Sequence, residues 1–96
     1  MLIDRKYKEN DVISLKISSG EEVIGRFVKE DLEHIYITKP TILGMNQKGI
    51  AMMPFMITVD PDKEHALSKN AVITYQLTDQ EIAKQYLSQT SGIALG

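Results

Sequence analysis

Apolar and polar residues alternate along much of the chain, and this alternation predicts β-strands. Within 12–17, every second residue from position 13 is apolar, with serine and lysine between them, which is typical of a strand that buries one face. Residues 18–20, Ser-Ser-Gly, supply a turn, and the alternation resumes over 22–28. The range 34–38 is rich in β-branched and aromatic residues and predicts a third strand.

The second half of the chain predicts two further strands. Pro40 lacks a backbone donor, so residues 41–43 are expected to continue the third strand only as an edge or bulged extension. Residues 44–49 contain two glycines and an asparagine and predict a hairpin loop. The range 50–59 predicts a fourth strand with a bulge at its proline, and 72–77 predicts a fifth.

Two segments carry signals for helix formation. Asp60-Pro61-Asp62 has the form of a helix start, so residues 61–67 are expected to form about two helical turns, with a plain loop as the alternative. Thr78 and Glu81 match a capping box. The apolar positions that follow recur at helical spacing, and they predict a C-terminal helix over about 79–89.

Length and composition limit the class of protein. The 96 residues provide one modest hydrophobic core, so we expect a single domain, 1–96, with a β core over about 12–77 that self-association would stabilise. No apolar run approaches the roughly 20 residues that cross a bilayer, and the first residues lack the apolar stretch of a signal peptide. The chain has no cysteine. These features predict a cytoplasmic protein without disulfides or membrane partners.

Charge limits the kind of nucleic-acid binding that this chain could support. Eleven Lys and Arg residues against thirteen Asp and Glu residues give a net charge of −2, which is the wrong sign for nonspecific wrapping of nucleic acid. Any affinity for phosphate must therefore come from a local group of cations.

The spacing of two glycines and an aspartate resembles a known motif. Five strands with a strongly bent second strand fit SH3-like, OB and Sm barrels alike. However, Leu15–Gly20, followed by Gly25, Phe27 and Asp31, is similar to the first motif of Sm-like (LSm/Hfq) proteins. Gly20 suits a positive φ in the turn, and Gly25 permits the bend that shapes the barrel.

A second, shorter resemblance lies before the fifth strand. Lys69-Asn70-Ala71-Val72 is similar to the second Sm motif, especially its bacterial Hfq version. Relative to the family, 60–68 looks like an insertion, and the asparagine expected after Asp31 is missing. The resemblance implies an all-β fold, a small, strongly bent five-stranded Sm-like (SH3-type) barrel with a C-terminal helix, and it allows a short N-terminal helix. The acidic, methionine-rich composition is also similar to that of small marine phage proteins.

The same resemblance implies a ring and a ligand. In the family, strand four of one subunit pairs with strand five of the next, which closes a homo-oligomer of about five to eight subunits. Uridine- or adenine-rich single-stranded RNA then binds at the inner rim. Matched residue by residue, the RNA contacts would be Asp31, His34, Lys69 and Asn70.

Each of these residues also has an ordinary structural interpretation. Asp31 could simply cap its own turn, and His34 could be an exposed residue at the start of a strand. With His65 distant in sequence and without further ligands, no metal site is predicted. Methionines 45, 52, 53 and 56 are expected to fill gaps in the core and at interfaces.

Three functions follow from these observations. The first is a ring that binds single-stranded RNA. The second is a structural or protein-interaction ring that uses the acidic insertion and the C-terminal helix as contact surfaces, and the third is an SH3-like monomer that binds peptides. No paired acids, nucleophile or base stand in a recognisable catalytic arrangement, so neither enzymatic activity nor a cofactor is predicted.

Overall fold

The alternating segments form strands of one antiparallel sheet, followed by a helix. The computed structural model of the chain describes residues 6–91. Its elements are β1 (Val12–Ile17), β2 (Glu22–Glu30), β3 (His34–Asn46), β4 (Gly49–Pro54), β5 (His65–Ser68), a 3₁₀ turn (Lys69–Ala71), β6 (Val72–Leu77) and α1 (Gln80–Thr90). The expectation of a small, mostly antiparallel β fold with a C-terminal helix is thus confirmed.

The order of strands in the sheet is β4-β3-β2-β1-β6, and β5 also pairs with β3. The long strand β3 has two partners on the same side. Its first part, His34–Ile37, pairs with β5, and its second part, Thr41–Asn46, pairs with β4. Between the two parts, Lys39 has a positive φ of 51°. The acidic insertion therefore contributes a strand of its own, which the sequence did not predict.

The expectation that the third strand continues after Pro40 with a bulge is confirmed, and its alternative, an edge position, is not. Residues 41–43 belong to β3, and they pair with β2 on one side and β4 on the other. The β2–β3 register shifts between Ile24 and Arg26, opposite the part of β3 that contains Pro40. A bulge at that point accommodates the proline without ending the strand, because the residue at a bulge makes no regular ladder hydrogen bond.

The helix predicted over 61–67 is absent, and the fourth strand is shorter than expected. β4 ends at Pro54 and not at Val59. After it, the Asp60 carboxylate accepts a hydrogen bond from the backbone N–H of Asp62, 2.9 Å away, but this closes only a turn. The chain then becomes extended, because residues 65–68 gain a ladder of backbone pairs with β3, and pairing of this kind overrides a local helix signal.

The core lies on one face of the sheet. Ile13, Leu15, Val23, Ile35 and Ile37 have no exposed surface, and they pack together with Tyr7, Ile17 and Phe27. Their alternation along β1, β2 and β3 is the period of two seen in the sequence. Gly20 adopts a φ of 108° in the turn after β1, a conformation that favours glycine.

The C-terminal helix is anchored by one aromatic residue. Tyr86 is fully buried, and its hydroxyl donates to the backbone carbonyl of Lys39, 2.7 Å away. The N-cap of the helix is Asp79 and not Thr78, because the Asp79 carboxylate accepts from the backbone N–H of Glu81 and of Ile82. The Thr78 hydroxyl instead lies 2.7 Å from the Ser14 hydroxyl on β1.

Two further expectations about the fold need correction. There are six strands and not five, and within residues 6–91 no pairing joins β4 to β6, so the barrel is not closed. β4 pairs only with the far end of β3, in a hairpin whose tip is exposed to solvent. Residues 6–11 form no helix, and the rest of the expected N-terminal helix would lie outside the described residues. No helix within 6–91 has the length and apolar character needed to cross a membrane.

Candidate nucleic-acid interface

Asp31 organises the turn between β2 and β3. Its Oδ1 atom accepts hydrogen bonds from the backbone N–H groups of Glu33, at 2.9 Å, and His34, at 2.7 Å. Its Oδ2 atom accepts from the Tyr36 hydroxyl at 3.0 Å. The carboxylate is thus occupied by three donors from its own turn and strand, and its direct role is to fix the positions of His34 and Tyr36.

These hydrogen bonds affect the ionisation of both partners. The backbone N–H groups of Glu33 and His34 hold the pKa of Asp31 below its usual value, since they stabilise the charged carboxylate. The hydrogen bond to Asp31 raises the pKa of Tyr36. At neutral pH the turn therefore combines a carboxylate with a neutral phenol.

The 3₁₀ turn places Lys69 and Asn70 beside this β2–β3 turn. Ser68 is the register partner of His34 across the β3–β5 pair. In the next residue, the backbone N–H of Lys69 donates to the backbone carbonyl of Glu33, 2.8 Å away. Asn70 is exposed. The fold thus brings all four residues of the predicted RNA site to one end of the sheet, although Asp31 and Asn70 are 39 positions apart in the sequence.

Lys69 is held by a network that the sequence did not predict. Its Nζ atom lies 2.9 Å from the Oε1 atom of Glu30, and the same oxygen accepts from the Tyr75 hydroxyl at 2.7 Å. The Tyr7 hydroxyl in turn donates to the Tyr75 carbonyl. The network connects Lys69 to the end of β2 and to β6, so the ammonium group has a defined position.

Burial and hydrogen bonding oppose one another at Glu30. Partial burial raises the pKa of Glu30, but the hydrogen bonds from Lys69 and Tyr75 outweigh it, and the pKa lies below its usual value. Burial, with the hydrogen bond to Glu30 added, raises the pKa of Tyr75 to about 12. Glu30 is therefore a carboxylate at neutral pH.

Tyr36 and Lys29 are two residues of this surface that sequence reasoning missed. Tyr36 lies two positions after His34 on β3, and the two ring centroids are 5.9 Å apart. The Nζ atom of Lys29 lies 4.9 Å from the centroid of the Tyr36 ring. A period of two places Tyr36 on the same face as His34 and opposite Ile35. That alternation was the signal that could have found it.

The surface carries charges of both signs. Lys29 and Lys69 provide cations, and Glu30, Asp31, Glu33 and Glu64 provide acids. Because Lys69 is paired with Glu30 and Asp31 is occupied by hydrogen-bond donors, the surface offers a ligand the partly exposed rings of His34 and Tyr36 and the exposed side chains of Lys29 and Asn70. The His34 side chain retains 39% of its surface exposed.

The outer strands of the sheet carry exposed apolar side chains. Met53 on β4 and Ile73 on β6 are 62% and 66% exposed, and Leu77 on β6 is 57% exposed. Met45 and Met56 are exposed as well, so three of the four methionines do not fill gaps in the core of this chain, and the expectation that they fill gaps at interfaces stays a prediction. β4 and β6 are the two ends of the main strand path.

The sequence matches no protein-family model and no curated protein. Within residues 6–91, no three histidine or carboxylate side chains lie together in a way that could hold a metal ion. The interpretation of the site therefore depends on the geometry described above.

Proposed function

We propose that this protein is an Sm-like subunit that acts in the cytoplasm, assembles into a homo-oligomeric ring and binds single-stranded RNA. The RNA surface consists of the β2–β3 turn and the 3₁₀ turn, with Asp31, His34, Lys69 and Asn70 as its residues. The observation that carries the proposal is the hydrogen bond from the Lys69 N–H to the Glu33 carbonyl, which joins the two segments that resemble Sm motifs into one surface.

The outer strands support assembly. A strand at the end of a sheet has backbone groups without a strand partner, and exposed apolar side chains at such a place favour pairing with another chain. Here the two ends are β4 and β6, with Met53 on the first and Ile73 and Leu77 on the second. These strands correspond to the fourth and fifth predicted strands, the pair that joins subunits in the family.

The chemistry of the turn surface supports a single-stranded ligand. Planar rings stack on unpaired bases, and cations beside them attract phosphate. His34 supplies a half-exposed ring, Lys69 a positioned ammonium and Asn70 an exposed amide. In a ring, this small surface occurs once per subunit, and several subunits that contact one RNA strand would bind it more tightly than one subunit alone. This gain in affinity would offset the electrostatic repulsion between RNA and chains that each carry a net charge of −2.

The test is solution mass by light scattering, followed on the same sample by binding of oligo-uridine and oligo-adenine at two salt concentrations. We expect a mass of about five to eight subunits and an RNA affinity that falls steeply from about 50 to about 200 mM salt. Lys69→Ala is expected to weaken binding and reduce the salt dependence. Lys48→Ala is the matched control, because Lys48 is exposed at the tip of the β3–β4 hairpin.

The outcomes separate the candidate functions. A ring that binds neither RNA would favour the second candidate function, a structural or protein-interaction ring. Two observations support that candidate: Lys69 is already paired with Glu30, and the net charge of the chain is negative. A monomer would contradict the assembly and with it the proposed family.

A further inference from the structure

Two aromatic rings lie side by side on the face of β3 that is opposite the core. His34 and Tyr36 alternate with Ile35 and Ile37, which are fully buried. The ring centroids of His34 and Tyr36 are 5.9 Å apart, and the ring planes are inclined by 44°. The two rings therefore form a surface outside the hydrophobic core.

The neighbouring strand β5 leaves these rings partly exposed. In the register of β3 and β5, Ala66 lies opposite Tyr36 and Ser68 lies opposite His34. Both are small and exposed, whereas a larger side chain at either position would cover the adjacent ring. On the other side, Lys29 is the β2 partner of Tyr36, and its Nζ atom lies 4.9 Å from the centroid of the Tyr36 ring.

The Tyr36 ring is held in place before any ligand binds. Its hydroxyl donates to the Asp31 carboxylate at 3.0 Å, and that carboxylate is itself fixed by two backbone N–H groups. Fixing an aromatic ring in this way lowers the entropy lost when a ligand stacks on it.

We propose that Tyr36 and His34 form a platform for two bases, in which each ring stacks on one base of single-stranded RNA while Lys29 and Lys69 contact the adjoining phosphates. This inference rests on the proposed function and extends its surface from the β2–β3 turn along β3. The two ring planes are inclined by 44°, so two bases that lie flat on these rings are not parallel to each other. The two bases are therefore unstacked from each other, which selects single strands over duplexes.

The experiment compares three variants with the wild-type protein in oligo-uridine and oligo-adenine binding. Tyr36→Leu removes the ring, and we expect the affinity to fall by roughly fivefold or more, the lower limit for loss of one stacked base. Tyr36→Phe keeps the ring without the hydroxyl and is expected to stay within about threefold of wild type. The chain has no tryptophan, so Tyr36→Trp adds a single reporter whose fluorescence should be quenched on binding.

Light scattering and circular dichroism on each variant establish that ring mass and fold are unchanged. If Tyr36→Leu binds as wild type does while Lys69→Ala is impaired, the platform is refuted and the proposed function stands. Equal losses in Tyr36→Leu and Tyr36→Phe would show that the hydroxyl positions Asp31 and that the ring does not stack. Absence of RNA binding by the wild-type protein would overturn both proposals.

Discussion

The Cδ1 atom of Ile37 lies 2.6 Å from the position that a Cβ atom on Gly25 would occupy. Both residues are fully buried on the core face. Residue 25 therefore has to be glycine if β2 and β3 are to stay this close where the sheet bends, because Ile37 is also surrounded by the core and has little room to move.

Substitution Gly25→Ala is expected to destabilise the fold by about 1–3 kcal/mol, the usual cost of one additional carbon in a packed core. Urea unfolding followed by circular dichroism measures this change. Gly44→Ala is the control, because a Cβ atom at position 44 meets no atom within 4 Å. Equal stability of the two variants would show that Ile37 can move aside.

Tyr86 should dominate the attachment of α1. Tyr86→Ala removes a fully buried ring and is expected to cost about 3–5 kcal/mol. Tyr86→Phe keeps the ring and removes the hydroxyl, which donates to the Lys39 carbonyl at 2.7 Å and to the Thr38 carbonyl at 3.4 Å, and it is expected to cost about 1 kcal/mol. Both values come from equilibrium unfolding, with the exposed neighbour Gln85→Ala as control. A cost for Tyr86→Ala no larger than that of the control would mean that the helix is not docked through this ring.

The same tyrosine predicts a loss of stability in alkali. Burial raises the pKa of Tyr86 from 10.0 to about 12, so the folded state favours the neutral phenol. The contribution of the neutral Tyr86 side chain to the free energy of unfolding is complete below pH 10 and is lost as the pH rises toward 12. Unfolding midpoints measured across this range should fall more steeply for wild type than for Tyr86→Phe. If the midpoints of wild type and Tyr86→Phe fall in parallel with pH, then ionisation of Tyr86 does not cause the loss of stability.

Asp31 predicts the opposite dependence in acid. Its pKa is lowered in the folded state from the ordinary value of 3.8, so its carboxylate stabilises the fold above that value. This contribution is lost as the pH falls through the folded pKa. Asp31→Asn keeps an oxygen acceptor for the turn but not the charge. We expect a lower urea midpoint than wild type at neutral pH, and a difference that shrinks below about pH 4.

The control for this measurement is Glu9→Gln, which removes an exposed carboxylate and should keep the wild-type pH dependence. If Asp31→Asn and wild type lose stability in parallel as the pH falls, then the hydrogen bonds of the turn do not depend on the charge of Asp31.

The outer strands can be tested by a change of charge. Ile73→Glu on β6 and Met53→Glu on β4 would bring carboxylates into the proposed contact between subunits, where their desolvation is unfavourable. We expect each variant to lower the solution mass toward that of the monomer. Leu32→Glu is matched in chemistry, since Leu32 is 94% exposed but lies on the β2–β3 turn, and it should leave the mass unchanged. An unaltered mass in both strand variants would exclude this mode of assembly.

The strands that bury one face were predictable from the sequence, and the pairing of β5 was not. The alternation in β1 and β2 reflects burial of every second residue, a signal contained in the local sequence. By contrast, residues 65–68 are extended because β3 offers them backbone partners more than 25 positions away. Asp60 and Pro61 gave a local helix signal that this pairing outweighed.

The candidate site also contains some residues that the sequence predicted and others that it did not. Asp31, His34, Lys69 and Asn70 were identified from resemblance to two motifs, and the fold brings them together. Tyr36 was missed although its alternation with Ile35 and Ile37 indicates that it faces away from the core. Glu30 was missed because its role depends on contacts across space with Lys69 and Tyr75. Sequence spacing alone gives no sign of these contacts.

The division of β3 between two partners has a consequence for aggregation. A strand of 13 residues with one open side would be a template for uncontrolled addition of strands from other molecules. Here that side is covered by β4 and β5, which have six and four residues. β5 pairs with the part of β3 before Lys39 and β4 with the part after it. An incoming chain therefore finds only short edges on this side of β3, which disfavours open-ended addition of strands there.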